Sequence, residues 1–267
     1  MPNAAVDMGE PSRVACCGIL RHPLGKTTEA LMTNTHDTPH PCGKCAFYAG
    51  SIWQPISSGS ISVLTQGFSR KELDAGQVLY AQGTENRGVF CVSKGLIALR
   101  ALHPDGKSTL LKLAYPGDIV GYRSFLENDC HKTEARALQP SRVCTVAQRD
   151  ANRVMQGNPL VLTKLTGRCV SEINNSRERI ISAATLPNRK RLSALLHRLM
   201  ETHGVRTGDI LRMQLPLSRS DLADLIGVQP ETMSRLFKRL SDDGELVISG
   251  RDIQMPVPFS SPQICRR

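Results

Sequence analysis

The sequence predicts an α+β protein in which an N-terminal β-roll of jelly-roll type precedes a long dimerisation helix and a C-terminal winged helix-turn-helix. Three observations support this fold class. Short apolar runs separated by glycines occupy residues 73–147, a helical period runs from Pro159 to Pro187, and two short amphipathic helices surround a tight turn at 215–240. Short strands at regular spacing are typical of jelly rolls, and apolar residues three and four apart are typical of helices.

The predicted domain boundaries lie where the composition and the spacing of the apolar residues change. They are a disordered arm at 1–40, a β-roll with an N-terminal Cys-x2-Cys at 41–150, a dimerisation helix at 151–186, a winged helix-turn-helix at 187–256 and a tail at 257–267. The arm is rich in Pro, Thr, Asn and His and shows no usable period, which favours disorder.

The overall charge narrows the choice of partner. The chain has 34 Lys and Arg against 24 Asp and Glu, a formal net charge of +10. Such an excess favours nucleic acid or an anionic surface. The sequence contains no long apolar run and no signal-peptide core, so we expect a cytoplasmic protein with no membrane partner. Its nine cysteines are then reduced thiols that act as packing residues, metal ligands or redox sensors.

The β-roll prediction depends on runs such as GVFCVSKG at 88–95 and SRVCTVA at 141–147, with glycines mostly 11 or 12 residues apart. A jelly roll closes its own edges.

A cupin-like metal enzyme is an alternative on this fold, but it needs several barrel histidines. His103 and His131 are the ones in this region, and neither has a second His or an acid at useful spacing. We therefore expect no enzyme.

The segment after Pro159 has a narrow seam of apolar and small residues. The seam consists of Leu162, Leu165, Cys169, Ile173, Ser176 and Ile180. A seam of this period is typical of a parallel two-stranded coiled coil, and it predicts a homodimer. A long helix packed on its own barrel is the alternative.

The segment 215–240 predicts a helix, a tight turn and a second helix. Ser218 and Asp221 have the form of a capping box, Gly227 ends the first helix, and Pro230 suits the first position of the second. The polar positions have the composition of a DNA recognition helix, with an ordinary solvated helix pair as the alternative. The predicted DNA-binding residues are Ser218, Arg219, Glu231, Thr232, Ser234, Arg235, Lys238 and Arg239. Two short β runs about 249–251 predict a hairpin wing.

This order of elements, with the stretch LPLSRSDLADLIGVQPETMSRLFKRL, resembles the CRP/FNR family of bacterial transcription regulators, in particular its FNR and FixK branch. Glu231, Ser234 and Arg235 match the Glu-x-x-Ser-Arg triplet of that branch, which implies a dimer reading TTGAT-N4-ATCAA-like promoter sites. The resemblance also implies contact with RNA polymerase and a sensory role for the β-roll. Gln229 departs from the branch, which usually has a Thr cap at this position.

The resemblance further implies a [4Fe-4S] cluster, held in FNR by three N-terminal cysteines and one on a barrel strand. Cys42 and Cys45 match the first two, and Cys144 matches the strand cysteine. Ser51 and Trp53 occupy the places expected for the third N-terminal cysteine. The candidates for the missing ligand are Cys16, Cys17 and His40.

Other interpretations of the cysteines stay open. Cys91, Cys144 and Cys169 lie in apolar runs that also suit buried packing residues. A family member without a cluster would sense haem-bound gas, nitric oxide or thiol oxidation instead. Ser176 stands where oxygen-responsive relatives have an Asp on the dimer helix, so we expect dimerisation not to depend strictly on a cofactor.

The resemblance also locates the positions used by cyclic-nucleotide binders of the family, which have a Gly-Glu-x segment and a downstream Arg-Ser/Thr-Ala. The corresponding segments here are Gly121-Tyr122-Arg123 and, approximately, Lys132-Thr133-Glu134-Ala135. The ribose carboxylate and the phosphate-binding Arg are both missing, and Glu134 would repel a phosphate. We expect no cyclic nucleotide.

Overall fold

The computed structural model describes residues 40–257. The predicted disordered arm, with Cys16 and Cys17, and nearly all of the predicted tail lie outside the described residues.

The N-terminal half is a β-roll, as predicted. A 3₁₀ turn at Tyr48–Gly50 and helix α1 precede it, and helix α2 interrupts it. The elements are α1 Ser58–Gly67, β1 Phe68–Leu73, β2 Val78–Tyr80, β3 Gly88–Lys94, β4 Ile97–Leu102, β5 Ser108–Ala114, β6 Ile119–Val120, α2 Tyr122–Glu127, β7 Glu134–Ala137 and β8 Ser141–Ala147. They form two antiparallel sheets, in the orders β1-β8-β3-β6 and β2-β7-β4-β5. The roll therefore begins at β1, several residues earlier than the apolar runs indicated.

The sheet β1-β8-β3-β6 is buried on both faces. Its inner face contributes Phe90, Val92 and Val143 to the core between the sheets. Its outer face contributes Val89 and Val146 to a second core, which includes residues of the N-terminal segment and of the helices after the roll. Alternation along each strand produces this division, because successive side chains point to opposite faces.

Two helices follow the roll, α3 at Gln148–Gly157 and α4 at Pro159–Thr185. The predicted continuous helix from 151 to 186 is therefore wrong in its first part. The backbone leaves the helical conformation at Asn158, with φ −148° and ψ 88°. The next residue, Pro159, disfavours helical geometry at the residue before it and has no N–H to donate, so the chain breaks here and a new helix begins.

The C-terminal part is a winged helix-turn-helix, as predicted. Its elements are α5 Asn188–His203, β9 Val205–Thr207, β10 Ile210–Gln214, α6 Arg219–Ile226, α7 Pro230–Asp242, β11 Val247–Ser249 and β12 Asp252–Pro256. The wing strands join the unpredicted hairpin β9–β10 in a sheet of order β11-β12-β10-β9. Within the described part of the chain, no helix has the length and apolar character needed to cross a membrane.

Candidate nucleic-acid interface and thiol site

A reciprocal capping box begins α6. The Ser218 Oγ accepts a hydrogen bond from the Asp221 N–H at 3.0 Å, and the Asp221 Oδ2 accepts one from the Ser218 N–H at 2.9 Å. Gly227 ends the helix at φ 68°, a left-handed conformation that glycine adopts without strain. Val228 then donates to the Ala223 carbonyl at 3.0 Å. These contacts confirm the predicted cap and turn, and they fix the direction in which α7 leaves.

Helix α7 buries one side and exposes the other. Its buried residues are Met233, Leu236, Phe237 and Leu240, which pack in the core shared with α5 and α6. Its exposed residues include Glu231, Ser234, Arg235, Lys238 and Arg239, while Thr232 is half-buried. Among residues 40–257, the three cations Arg235, Lys238 and Arg239 form no salt bridge with an acid. They are therefore free to meet an external anion.

Arg219 and Ser218 are less available than the pattern predicted. The Arg219 guanidinium carbon lies 3.4 Å from the centroid of the Phe237 ring, so this side chain stacks between α6 and α7. Burial lowers the pKa of Arg219, and its Nη1 has no hydrogen-bond partner in the described structure. Ser218 is exposed, but its hydroxyl oxygen already caps α6. Both residues position the helix pair: the pattern predicted the cap formed by Ser218 but not the stacking of Arg219 on Phe237.

Two arginines of α5 bind groups at the C-terminal ends of α6 and α7. Arg191 donates to the Ile226 carbonyl at the end of α6. Arg189 pairs with Asp243 at 2.5 Å and also with Glu245, just beyond α7. Cations at the carbonyl end of a helix complement its dipole, so these contacts hold both helix ends against α5.

A polar contact joins the β-roll to α6. The Arg100 Nη2 lies 2.6 Å from the Asp221 Oδ1, and both side chains are largely buried at 16% and 10% exposure. The Leu110 N–H donates to the Asp224 Oδ2 at 2.8 Å. Asp221 therefore serves both as half of the capping box and as the partner of a barrel arginine. This pairing was not predictable from local patterns, because Arg100 and Asp221 belong to separate segments.

In the N-terminal segment, Cys42 and Cys45 lie in one tight turn, in which the Cys45 N–H donates to the Cys42 carbonyl at 2.8 Å. The Cys42 N–H donates to the His40 Nδ1 at 3.0 Å, and the His40 Nε2 lies 3.1 Å from the Trp53 carbonyl. These partners fix the tautomer with the proton on Nε2. Burial lowers the pKa of His40. Both ring nitrogens are engaged, so His40 organises the turn and is not a free ligand.

Cys144 lies on the outer face of the sheet, with 8% of its surface exposed. Burial, then the thiols of Cys144 and Cys45, raise the pKa of Cys42 to about 11. Val146, two residues from Cys144 on the same face of the sheet, packs in one core with Ile52 and Trp53 of the N-terminal segment. Trp53, at a place expected for a cysteine, is a core residue with 3% exposure. Within residues 40–257, no group of three or more His, Cys, Asp or Glu side chains is placed to hold a single metal ion.

The predicted dimer seam on α4 divides into two parts. Leu165 is fully buried in the outer-face core of its own chain, so it does not face a partner, whereas Cys169 packs against that core and is half-buried. Leu162, Ile173 and Ile180 are exposed, Ile180 by 70%. Ser176 is half-buried and donates to the Glu172 carbonyl at 2.9 Å. The alternative of a helix packed on its own barrel thus holds for the first turns of α4.

The positions that cyclic-nucleotide binders use have other contacts here. The Tyr122 hydroxyl donates to the Glu172 carboxylate on α4. Arg136 binds Glu134 through both carboxylate oxygens, at 2.7 and 2.9 Å. The two barrel histidines make separate contacts. The His131 ring stacks on the Tyr80 ring with 3.7 Å between the ring centroids, whereas His103 is exposed and lies beside Thr109.

Comparison with known proteins agrees with this architecture. Residues 70–158 match the family described as a cyclic nucleotide-binding domain, and residues 190–256 match the Crp-like helix-turn-helix domain. A probable transcriptional activator of Rhizobium leguminosarum bv. viciae is 28% identical over 221 residues, covering 82% of this chain and 90% of that protein. The nitrogen fixation regulation protein FixK of Bradyrhizobium diazoefficiens is 23% identical, covering 78% and 87%.

A solved structure shows the same fold. FixK2 from Bradyrhizobium japonicum superposes with a TM-score of 0.59 at 22% identity, covering 70% of this chain and 92% of that one. A β-roll followed by a winged helix-turn-helix with an unpaired basic helix face defines a transcription regulator and not an enzyme. The chain belongs to the CRP/FNR family.

Proposed function

We propose that the chain is a homodimeric, sequence-specific regulator of the FNR/FixK kind that reads sites close to TTGAT-N4-ATCAA. The observation that carries this proposal is the exposed face of α7, on which Glu231, Ser234 and Arg235 project without an intramolecular ion pair. An arginine donates twice to guanine, a carboxylate accepts from the cytosine amino group, and a serine hydroxyl contacts a base edge. A TTGAT half-site offers a partner for each group.

Lys238 and Arg239 continue this face toward the end of α7 and would contact phosphates. Such contacts set affinity and register and do not depend on base identity. Contact with RNA polymerase belongs to the same proposal through the family resemblance. Fluorescence anisotropy with a TTGAT-N4-ATCAA duplex tests the proposal: we expect binding roughly 1,000-fold tighter than to a scrambled duplex, weakening steeply as salt rises. Equal affinity for both duplexes would contradict it.

The dimer is proposed from the exposed stripe of α4. Leu162, Val170, Ile173, Ile180 and Ile181 are each exposed by 42% or more and recur on one side of the helix. A row of large apolar side chains on one helix face is typical of a coiled-coil partner surface. Two copies joined along this stripe would present two α7 helices to the two halves of an inverted repeat.

Replacing Ile173 and Ile180 by aspartate should convert the protein to a monomer. Unpaired carboxylates in an apolar interface are costly, so we expect the dissociation constant of the dimer to increase roughly 10-fold or more. Sedimentation velocity at micromolar concentration measures it. Ser171→Asp, an exposed position on the opposite side of α4, is the matched control and should remain a dimer. Wild-type protein that sediments as a monomer would contradict the proposed interface.

We also propose that Cys42, Cys45 and Cys144 hold an iron–sulfur cluster of the [4Fe-4S] type. The support is the donor set: Cys42, Cys45 and Cys144 are free thiols, and the segment after the Cys42–Cys45 turn packs through Ile52 and Trp53 on the outer face of the sheet, from which Cys144 projects. Cysteine thiolates are the usual ligands of such clusters, and a bound cluster would supply a centre that reacts with oxygen and oxidants. Anaerobic purification followed by iron and sulfide analysis tests this part; a colourless, iron-free protein would contradict it.

A further inference from the structure

We propose that Cys91 supplies the fourth thiolate, so that the site consists of Cys42, Cys45, Cys91 and Cys144. This inference depends on the proposed cluster and names a ligand that the sequence pattern did not identify. It replaces the N-terminal ligand that Ser51 and Trp53 cannot provide.

Strand pairing places Cys91 beside Cys144. Cys91 on β3 is the direct antiparallel partner of Cys144 on β8, so both side chains project from the same face of the sheet. Directly paired residues have Cβ atoms roughly 5 Å apart. Arg70 on β1 is the direct partner of Cys144 on its other side. The row Arg70, Cys144, Cys91 thus crosses three adjacent strands.

The N-terminal segment covers this row. Val89 and Val146 are paired and lie two residues from Cys91 and Cys144, on the same face. They pack in one core with Ile52 and Trp53, a few residues beyond the Cys42–Cys45 turn. On the other side, the Phe47 ring packs against Gly117, whose N–H donates to the Val92 carbonyl next to Cys91. The turn is therefore fixed over β3 from two directions.

Electrostatics supports the same grouping. Burial, then the thiols of Cys42, Cys144 and Cys45, raise the pKa of Cys91 to about 12. The Cys144 sulfur beside Arg70 raises the pKa of that guanidinium.

The other ligand candidates are less well placed. His40 uses both ring nitrogens in the turn. Cys169 is half-buried and belongs to α4, outside the sheet that carries Cys91 and Cys144. Cys130 is exposed beside Asp129, whose carboxylate accepts from the Cys130 N–H at 2.6 Å. Cys130 and Cys169 therefore serve as matched controls.

The test uses full-length protein, reconstituted anaerobically with iron and sulfide and freed of unbound metal. Wild type should hold about four iron atoms per chain and show the broad visible absorption of a [4Fe-4S] cluster. Cys91→Ala should lose most of its iron, its acid-labile sulfide and this absorption, as should Cys144→Ala. Cys130→Ala and Cys169→Ala should match wild type. Thermal unfolding followed by circular dichroism checks that each variant is folded.

Two results separate the inference from the functions on which it depends. If Cys91→Ala retains full iron while Cys16→Ala, Cys17→Ala or His40→Ala loses it, the ligand set proposed here is wrong and the cluster stands. If wild type binds no iron, the cluster and this ligand set both fail. Neither result bears on the DNA-binding proposal, which the duplex titrations test independently.

Discussion

Arg235→Ala should weaken binding to a TTGAT-N4-ATCAA duplex by roughly 5- to 150-fold for each half-site contacted, about 1 to 3 kcal/mol. Arg235 is exposed on α7 and pairs with no acid within residues 40–257, so its guanidinium is available for two hydrogen bonds to one guanine. The loss should be largest for the cognate sequence, since a scrambled duplex never offered those bonds. Fluorescence anisotropy against both duplexes measures the difference.

Two variants show whether the loss concerns base recognition. Lys238→Ala removes a proposed phosphate contact, so it should weaken binding to all sequences about equally and lower the salt slope by about one. Arg149→Ala removes the same charge from an exposed position on α3 and should leave binding unchanged. An Arg235→Ala protein that keeps its preference for the TTGAT duplex would show that Arg235 does not recognise the guanine of the half-site.

Asp221→Ala should destabilise the protein by about 3 to 5 kcal/mol, the usual cost of breaking a buried ion pair. The variant loses half of the α6 capping box and leaves Arg100 buried without its partner. Urea unfolding followed by circular dichroism measures the change in the free energy of unfolding. Asp242→Ala, at an exposed position near the end of α7, is the control and should change stability little.

A double-mutant cycle isolates the contact between the β-roll and α6. Arg100→Ala combined with Asp221→Ala should cost less than the two single losses together, because the double variant leaves no buried charge unpaired. Strictly additive losses would mean that the two side chains do not interact in solution. The stability that is lost when Asp221→Ala is added to Arg100→Ala then gives the contribution of the capping box, about 1 kcal/mol.

The local features of the DNA-binding end were predictable because they depend on neighbours in sequence. Ser218, Asp221, Gly227 and Pro230 specify the helix ends within a few residues, and the spacing of apolar positions assigns the buried face of α7. The stacking of Arg219 was not predictable, for the opposite reason. Its environment depends on the Phe237 ring of the next helix, and no local pattern records that contact.

The thiol site shows the same limit more clearly. Cys42 and Cys45 share one turn, so their spacing alone suggested a ligand pair. Cys91 looked like a packing residue in an apolar strand, and only the register of β3 against β8 places it opposite Cys144. Register depends on the whole sheet, so a single sequence does not reveal it. Likewise, the burial of Leu165 depends on packing against the roll.

The most direct test of the proposed function is a comparison of two palindromes under identical salt. Purified full-length protein is titrated into a TTGAT-N4-ATCAA duplex and into a duplex of matched length with TGTGA half-sites, the site type of the cyclic-AMP receptor branch. Each mismatched base pair costs about 1 to 3 kcal/mol, so we expect the TTGAT duplex to bind at least about 10-fold more tightly. Equal affinity for the two duplexes would contradict readout by Glu231, Ser234 and Arg235.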